Sequence, residues 1–353
     1  MDNIRIGKSN RSRLHKKPNV VGVGIGYREK EGRETDEKAI IVFVTQKVPS
    51  HRLGGGEIVP RSLQGESVDV IEIGEVRLMG SDVSPSREED EKAFTGNPLV
   101  RHRPAPGGVS IGHYKVTAGT LGCAVKDSDK GERFILSNNH VLANSSSGQD
   151  GRAAPGDPVL QPGPYDSGSL EEDTIARLEC FIPLRPTLLK PNCAAARYWE
   201  SLANRIFTAL RPAYSLCLQR SNKEGNLVDA ALARPLREED LSPEIMLLGK
   251  IKGTAEAYPG DRVVFSGRTS GVVRGSVIAR DVSLNIIIEP GKKLYFIDQL
   301  VTSAVSRPGD SGSLLLDEQN RAVGLLFAGS EKVSVCNRFQ NVTSLLGIEP
   351  LSG

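Results

Sequence analysis

The feature that most constrains the fold of this chain is a series of short apolar runs, separated by glycine-containing turns, that begins at Gly107. With 37 glycines and 21 prolines among 353 residues, the chain is rich in residues that form turns between strands. The clearest runs cover residues 118–125, 157–161, 173–178, 262–265 and 322–327. Short, evenly spaced strands with turns between them are typical of paired barrels or of a sandwich. We therefore predict an all-β fold for the main region, residues 107–350.

The chain before this region divides into three parts. Residues 1–18 carry six lysines and arginines and are predicted to form a basic flexible tail. Residues 19–80 contain three strand-like runs and are predicted to form a small β-rich domain with a regulatory or prosegment role. Its glycine series Gly22, Gly24 and Gly26 lacks the spacing and the following helix of a dinucleotide site, so we predict no nucleotide binding. Residues 81–106 are polar, contain prolines, and are predicted to be a linker.

One segment of the main region departs from the strand pattern. Apolar residues recur there at helical spacing, without proline or glycine, at Trp199, Leu202, Ala203, Ile206, Phe207 and Leu210. We predict an amphipathic helix in an insertion of about 181–222. The favoured interpretation is a helix packed on the outer face of the first of two barrels; a lid, a docking element and an oligomer contact are the alternatives.

The strongest candidate for a catalytic residue is a serine flanked by glycines, in the sequence Gly309-Asp310-Ser311-Gly312. A serine hydroxyl is a weak nucleophile until a base accepts its proton, and its attack requires donors for the oxyanion that it creates. The amides of Gly309 and Ser311 are predicted to be those donors. The candidate base is His140, which ends the strand-like run that begins at Phe134.

An aspartate is needed to orient the histidine, and two positions have suitable local sequence. Asp229 stands at the start of an apolar run, and Asp173 precedes a similar one. We predict Asp229 as the third member and keep Asp173 as the alternative. The order His140, Asp229, Ser311 is that of one of the known Ser-His-Asp triads.

These segments resemble a known family. Ser137-Asn138-Asn139-His140, Val228-Asp229-Ala230-Ala231 and Gly309-Asp310-Ser311-Gly312 are similar to motifs of the chymotrypsin/trypsin-like serine peptidases, and more closely of the Narrow-leaf-type intracellular members. The resemblance covers roughly residues 107–350. It implies two six-stranded antiparallel barrels, with the strand 174–178 between the histidine loop and Asp229.

The resemblance also implies details around the nucleophile. Val305, Phe327 and Gly329 are expected to line the substrate pocket, and without a carboxylate there the pocket favours a small or apolar side chain. Asp310 is expected to have a positive partner. That partner is either an amino terminus made by cleavage within residues 101–108, or an arginine.

Charge and composition limit the kinds of partner and cofactor that we expect this protein to bind. The net charge of +2 gives no basic field for nucleic acid, and no run is long enough to span a membrane. Secreted trypsin-like enzymes usually have a cysteine directly after the histidine, whereas this chain has Val141 there. Its five cysteines are also widely spaced, and both features indicate reduced thiols in a cytoplasmic protein. No histidine–cysteine cluster has zinc-ligand spacing, so neither a metal nor another cofactor is expected.

We therefore predict a cytoplasmic serine endopeptidase that acts on protein or peptide substrates, regulated by its N-terminal domain or by self-cleavage. Assembly into homo-oligomers stays open. The alternative is a catalytically silent scaffold that has the protease fold and binds protein partners. A protease with an additional peptide-binding module is not expected, because the second barrel needs the residues after Ser311.

Overall fold

The computed structural model of the chain describes residues 4–30, 33–79, 96–189, 191, 193–211, 213–222, 224–289 and 291–352. In this part, strands predominate, which confirms the predicted all-β class. The α-helices are α1 (Lys8–His15), α2 (Asn139–Leu142), α3 (Ala194–Leu210) and α4 (Phe339–Leu346). Single 3₁₀ turns cover Ser50–Arg52, Pro164–Asp166 and Glu238–Asp240.

Strands follow one another along the whole chain, starting in the N-terminal region. The N-terminal strands are β1 (Val20–Lys30), β2 (Arg33–Val44), β3 (Ser62–Leu63), β4 (Glu66–Glu72) and β5 (Arg77–Leu78). They are followed by β6 (Ala105–Gly107), β7 (Ser110–His113), β8 (Gly119–Thr120), β9 (Cys123–Asp127), β10 (Arg133–Ser137), β11 (Pro158–Leu160) and β12 (Thr174–Phe181). Next come β13 (Leu188–Leu189), β14 (Arg220–Ser221), β15 (Ala231–Pro235), β16 (Leu241–Ile245) and β17 (Gly249–Lys250). The last are β18 (Arg262–Gly267), β19 (Gly271–Glu289), β20 (Lys292–Thr302), β21 (Leu314–Asp317), β22 (Ala322–Gly329), β23 (Ser334–Arg338) and β24 (Ile348–Pro350).

Two large sheets carry the fold. The first has eight strands in the order β24-β9-β10-β15-β12-β11-β7-β8. The second has eleven, in the order β18-β21-β22-β23-β20-β19-β1-β2-β4-β3, with β5 beside both β19 and β22. Each sheet buries one face in an apolar core, the first around Ile111, Leu121 and Ile135 and the second around Phe296 and Phe327.

The N-terminal strands are part of the second sheet. β1 pairs antiparallel with β19, and β2 and β4 extend the sheet from β1. The sequence predicts a small β-rich domain over residues 19–80, and its strands continue the sheet that also contains β21 and β22. Within the second sheet, the six strands β18, β21, β22, β23, β20 and β19 close into a ring through the β18–β19 pairing, in agreement with the predicted six-stranded barrel, and the N-terminal strands are added to it.

The glycine series in β1 has a packing reason. A side chain at Gly24 would place its Cβ atom 2.6 Å from Val282 Cγ2 on β19, so only glycine permits this approach of the two strands. Close strand packing therefore accounts for Gly24 without a nucleotide.

Helix α1 lies within the residues predicted to be a flexible tail. Leu14 is fully buried, and the Arg11 guanidinium donates to the carbonyl oxygens of Val23 and Asp281 at 2.9 Å each. His15 Nε2 lies 2.9 Å from Ser283 Oγ, and its ring meets Tyr295 edge-on. The apolar face and these polar contacts hold α1 against β1 and β19. The many basic residues led to the prediction of a solvated tail, but Arg11 and His15 make contacts with β1 and β19 instead of facing solvent.

Helix α3 forms where the sequence predicts it, but it packs differently. None of its described side chains is buried, and Trp199, Ile206, Phe207 and Leu210 are between 45% and 74% exposed. The interpretation of a helix packed on the outer face of the first sheet is therefore wrong. The amphipathic pattern predicted the helix but could not indicate what covers its apolar face.

We expect the stability of the chain to fall between pH 6.5 and pH 4 through His15. Burial, reinforced by the nearby Arg11 charge, lowers the pKa of His15 from 6.5 to about 4. The unfolded chain therefore binds a proton in this range that the folded chain does not, and acidification removes about 3 kcal/mol of stability. The measurement is urea unfolding at pH 7 and pH 4.5 for wild type and His15→Gln.

The variant should lose less stability on acidification than wild type does. His51→Gln is the matched control, because His51 is exposed, and it should follow wild type. Equal pH dependence for wild type and His15→Gln would contradict the role of His15.

Candidate active site

His140 and Asp229 form a buried pair at the end of the first sheet. His140 lies in the turn of α2, directly after β10, and Asp229 lies just before β15, the neighbour of β10. His140 Nδ1 is 2.7 Å from Asp229 Oδ2, and the His140 backbone N–H donates to Asp229 Oδ1 at 3.3 Å. The carboxylate therefore fixes the ring and places the proton of the neutral imidazole on Nδ1. This leaves Nε2 as the basic nitrogen.

Two asparagines hold the backbone of Asp229. Asn138 Nδ2 donates to the Asp229 carbonyl at 2.8 Å, and Asn337 accepts the Asp229 N–H at 3.0 Å. Asn337 also donates to the Asp229 carbonyl at 3.2 Å. Since Asp229 is fully buried, these bonds satisfy backbone groups that water cannot reach. The histidine motif of the sequence contains Asn138, but no local pattern distinguishes Asn337.

Ser311 lies in a turn that is fixed on both sides. Gly309 has φ +100°, and a side chain on it would overlap Thr269 and Arg268, so glycine is required there. The Thr120 hydroxyl donates to the Gly309 carbonyl at 2.8 Å, and the Thr120 N–H donates to the Ser311 carbonyl at 2.7 Å. Within the described residues, the N–H groups of Gly309 and Ser311 donate to no other group of the protein. They are therefore free to act as donors to a bound oxyanion.

The Ser311 hydroxyl contacts two backbone carbonyls. Ser311 Oγ donates to Met79 O at 3.1 Å and to Phe327 O at 3.3 Å. His140 Nε2 is buried, and in the described part of the chain it has no hydrogen-bond partner. The His140 and Ser311 segments meet across β8, because Gly119 lies against both Val141 and the Ser311 carbonyl. The fold thus brings His140 and Asp229 into contact and Ser311 into the same region, with the hydroxyl turned toward Met79 O.

Asp310 is held by backbone groups. Its carboxylate accepts the N–H groups of Thr269 and Ser270 at 2.9 Å each and that of Arg307 at 2.8 Å. Complete burial raises the pKa of this carboxyl, and the hydrogen bonds act in the opposite direction. These three bonds take the place of the amino terminus or arginine that the family resemblance implies. Ala105 in β6, within the predicted cleavage segment 101–108, is buried where β6 pairs with β16.

An ion pair lies behind the Ser311 turn. The Arg268 and Asp166 side chains are each only 6% exposed, and Arg268 Nε donates to Asp166 Oδ2 at 2.6 Å. The Arg268 backbone N–H donates to the Thr120 hydroxyl, which in turn holds the Gly309 carbonyl. The ion pair is thus connected through one hydroxyl to the proposed oxyanion donor.

The three residues predicted to line the substrate pocket, Val305, Phe327 and Gly329, differ from one another in burial and in the groups that they contact. Val305 is 36% exposed, while the next residue, Ser306, is buried and its hydroxyl lies 3.1 Å from Met79 Sδ. The Phe327 side chain packs against Phe296 in the core, and only its carbonyl faces the site. Gly329 lies close to the Met79 side chain, since a Cβ there would lie 2.8 Å from Met79 Cε. Ser306, the residue after Val305, is therefore the one whose side chain contacts Met79.

Strand β5 covers this pocket. Leu78 pairs with Ala328 and Arg77 with Gly329, antiparallel to β22. The edge of β22 is open at these residues because β21 pairs with β22 only between Ala322 and Leu325. Ser311, Ser306 and Met79 are consequently all buried.

The alternative acidic residue and a second histidine lie elsewhere. Asp173 accepts the Ser169 N–H at 2.9 Å and faces Arg101, so it does not contact His140. His113 pairs with Asp157 at 3.0 Å, but its Nδ1 accepts the Lys115 N–H. Both nitrogens of His113 are thus engaged, and burial lowers its pKa.

Three further observations concern metal ligands, cysteines and helix length in the described residues. They contain no group of three or more histidine, cysteine or acidic side chains that could hold a metal ion. All five cysteines are free, with Cys123 and Cys336 buried. Among the described helices, none combines the length and apolar character needed to cross a bilayer.

Asp166→Asn is expected to lower the free energy of unfolding by about 3–5 kcal/mol, because it leaves the Arg268 charge buried without its partner. The control is Glu318→Gln in the exposed pair with Arg262, which should cost less than about 1 kcal/mol. Urea unfolding at pH 7 measures both. Equal, small effects of the two substitutions would contradict the structural role of the buried pair.

Known proteins resemble this chain in two ways. Residues 1–73 match the NARROW LEAF 1 N-terminal domain family. The chain is 28% identical to Protein NARROW LEAF 1 of Oryza sativa subsp. japonica, covering 88% of this chain and 51% of that protein, so it spans about half the length of this relative. Similar solved structures are Thermobifida fusca Protease A (14% identity, TM-score 0.44) and Cellulomonas bogoriensis chymotrypsin (15%, 0.41), each covering 70% of this chain and 98% of that chain. The predicted resemblance to Narrow-leaf-type proteins is confirmed by the sequence matches.

Proposed function

We propose that this protein is a serine endopeptidase that hydrolyses peptide bonds through an acyl-enzyme on Ser311. The observation that carries the proposal is the buried His140–Asp229 pair, whose remaining ring nitrogen has no partner in the described chain. An imidazole with Nδ1 held by a carboxylate and Nε2 unoccupied is what a general base for a serine hydroxyl requires.

In the reaction, the Ser311 hydroxyl turns from the two carbonyls that it contacts and gives its proton to His140 Nε2. Its oxygen then attacks the substrate carbonyl carbon, and Asp229 stabilises the imidazolium that forms. The unoccupied N–H groups of Gly309 and Ser311 stabilise the oxyanion. His140 passes the proton to the leaving amine, and water releases the acyl group by the reverse sequence of proton transfers.

Substrate selection is proposed to depend on the pocket of Ser306 and Gly329. The pocket holds the apolar side chain of Met79, with its sulfur beside the Ser306 hydroxyl and its terminal methyl group beside Gly329. This supports the preference for an apolar side chain before the cleaved bond. The unpaired cysteines fit the reducing cytoplasmic location that we propose.

The competing proposal is a silent scaffold that binds protein partners, for which the exposed apolar face of α3 is the supporting observation. A scaffold needs neither a buried His–Asp pair nor free amides beside a serine. We therefore favour the peptidase.

The test uses an Arg77→Pro background, in which loss of the residue 77 N–H weakens the β5–β22 pairing that covers Ser311. Hydrolysis of fluorescent casein and labelling by a fluorophosphonate are measured with and without substitutions in the site. We expect Ser311→Ala and His140→Ala to lower turnover by about 10⁶-fold and Asp229→Asn by about 10⁴-fold.

Asp173→Asn is the matched control and should keep turnover within a few-fold of its background, because Asp173 does not contact His140. Labelling should map to Ser311. A folded Arg77→Pro protein that neither reacts with the probe nor cleaves casein would favour the scaffold, and labelling that persists in His140→Ala would remove the proposed base.

A further inference from the structure

The chain places its own residues 75–79 in the substrate groove. Leu78 and Arg77 pair with Ala328 and Gly329, and the Met79 N–H points to Phe327 O at 3.5 Å. Addition of an extended segment to an open strand edge is a general way in which proteins bind peptides. In this protein, the added strand belongs to the same chain.

The carbonyl of Met79 lies at the nucleophile. Ser311 Oγ is 3.1 Å from Met79 O, so the Met79 carbonyl group is within reach of the hydroxyl. The described part of the strand thus ends with a carbonyl beside the candidate nucleophile, which is the proximity that acyl transfer requires.

The Met79 side chain fills the pocket beside this carbonyl. Its sulfur lies 3.1 Å from Ser306 Oγ, its terminal methyl group lies against Gly329, and the residue is 7% exposed. Backbone pairing, carbonyl position and side-chain burial therefore agree on one register. If a residue next to Met79 lay beside Ser311 instead, the backbone pairing, the position of the carbonyl and the burial of the side chain would all be lost.

The segment is anchored before it reaches the site. Ile73 and Val76 are 1% exposed, and the Ile287 N–H on β19 donates to Val76 O at 3.0 Å. Glu72 forms an ion pair with Lys332 in the turn after β22. These contacts hold the segment from both β19 and β22, so its approach to Ser311 is part of the fold.

We propose that residues 75–79 are a built-in substrate and that Ser311 cuts the chain between Met79 and Gly80. This inference rests on the proposed peptidase function and adds a cleavage site and a substrate class: an extended peptide with a large apolar residue before the cut bond. The site differs from the segment 101–108 that the sequence suggests.

The step follows the chemistry of acyl transfer. Ser311 Oγ bonds to the Met79 carbonyl carbon as its proton passes to His140 Nε2. The bond from that carbon to the Gly80 nitrogen breaks, and the Gly80 amine receives the proton from His140. Water then hydrolyses the ester, giving a Met79 carboxylate and restoring Ser311.

The experiment follows the intact mass of freshly purified full-length chain over time at several protein concentrations, with N-terminal sequencing of any fragment. We expect wild type to yield fragments 1–79 and 80–353, at a rate independent of concentration, and Ser311→Ala to stay intact. Met79→Leu should be cut at a rate within a few-fold of wild type. Met79→Asp should be cut about a hundredfold more slowly, because its carboxylate would be buried in an apolar pocket.

Comparison of Arg77→Pro with Arg77→Ala distinguishes the effect of the backbone pairing of β5 from the effect of the Arg77 side chain. The Arg77 side chain is mostly exposed, so Arg77→Ala should be cut like wild type, whereas Arg77→Pro should be cut more slowly and cleave added casein faster. An intact wild-type chain while Arg77→Pro hydrolyses casein would overturn self-cleavage but leave the peptidase. An intact chain with no casein hydrolysis in either protein would overturn both, and a cut at any other bond would overturn the assigned site.

Discussion

The strand β19 is the element on which the rest of this structure depends. Its 19 residues pair with β18 and β20 near the Ser311 side of the molecule and with β1 from the N-terminal region. One continuous backbone therefore carries both the nucleophile's sheet and the N-terminal strands. The close approach at Gly24 and the docking of Arg11 and His15 add side-chain contacts to the same strand. Because of this shared strand, the position of residues 75–79 relative to Ser311 is set by hydrogen bonds rather than by the length of a linker.

The chemistry of the site depends on which histidine nitrogen is left unoccupied. Among the described residues, His140 and His113 each contact an aspartate at a similar distance, and only the His140 pair is buried on both sides. In His113, the Lys115 N–H occupies the second nitrogen, so the ring serves only to join two loops. In His140, the second nitrogen has no partner within the described chain, although it is buried. An unsatisfied buried nitrogen costs stability, which is typical of a group kept for a reaction rather than for structure.

The sequence indicated the local parts of this arrangement and missed the long-range ones. His140, Asp229 and Ser311 could be identified because each stands in a short motif whose residue types follow from the chemistry. Met79 could not, because its place at Ser311 results from pairing between strands at opposite ends of the chain. Ser306 was missed because nothing local distinguishes which of two adjacent residues faces the pocket. The partners of Asp310 are backbone groups, which have no sequence signal.

A segment that belongs to the chain is a strong competitor for its own groove. A tethered occupant has an effective concentration in the millimolar range or above, so an added peptide must bind more tightly than that to displace it. A cut after Met79 would not by itself vacate the groove, because β1 still pairs with β19 and the Glu72–Lys332 contact lies before the cut. The new carboxylate would also stay beside Ser311, where it blocks attack on another carbonyl. The proposed hydrolysis of other proteins therefore requires a second event that lifts β5 from β22, which means loss of the two residue pairs that join these strands.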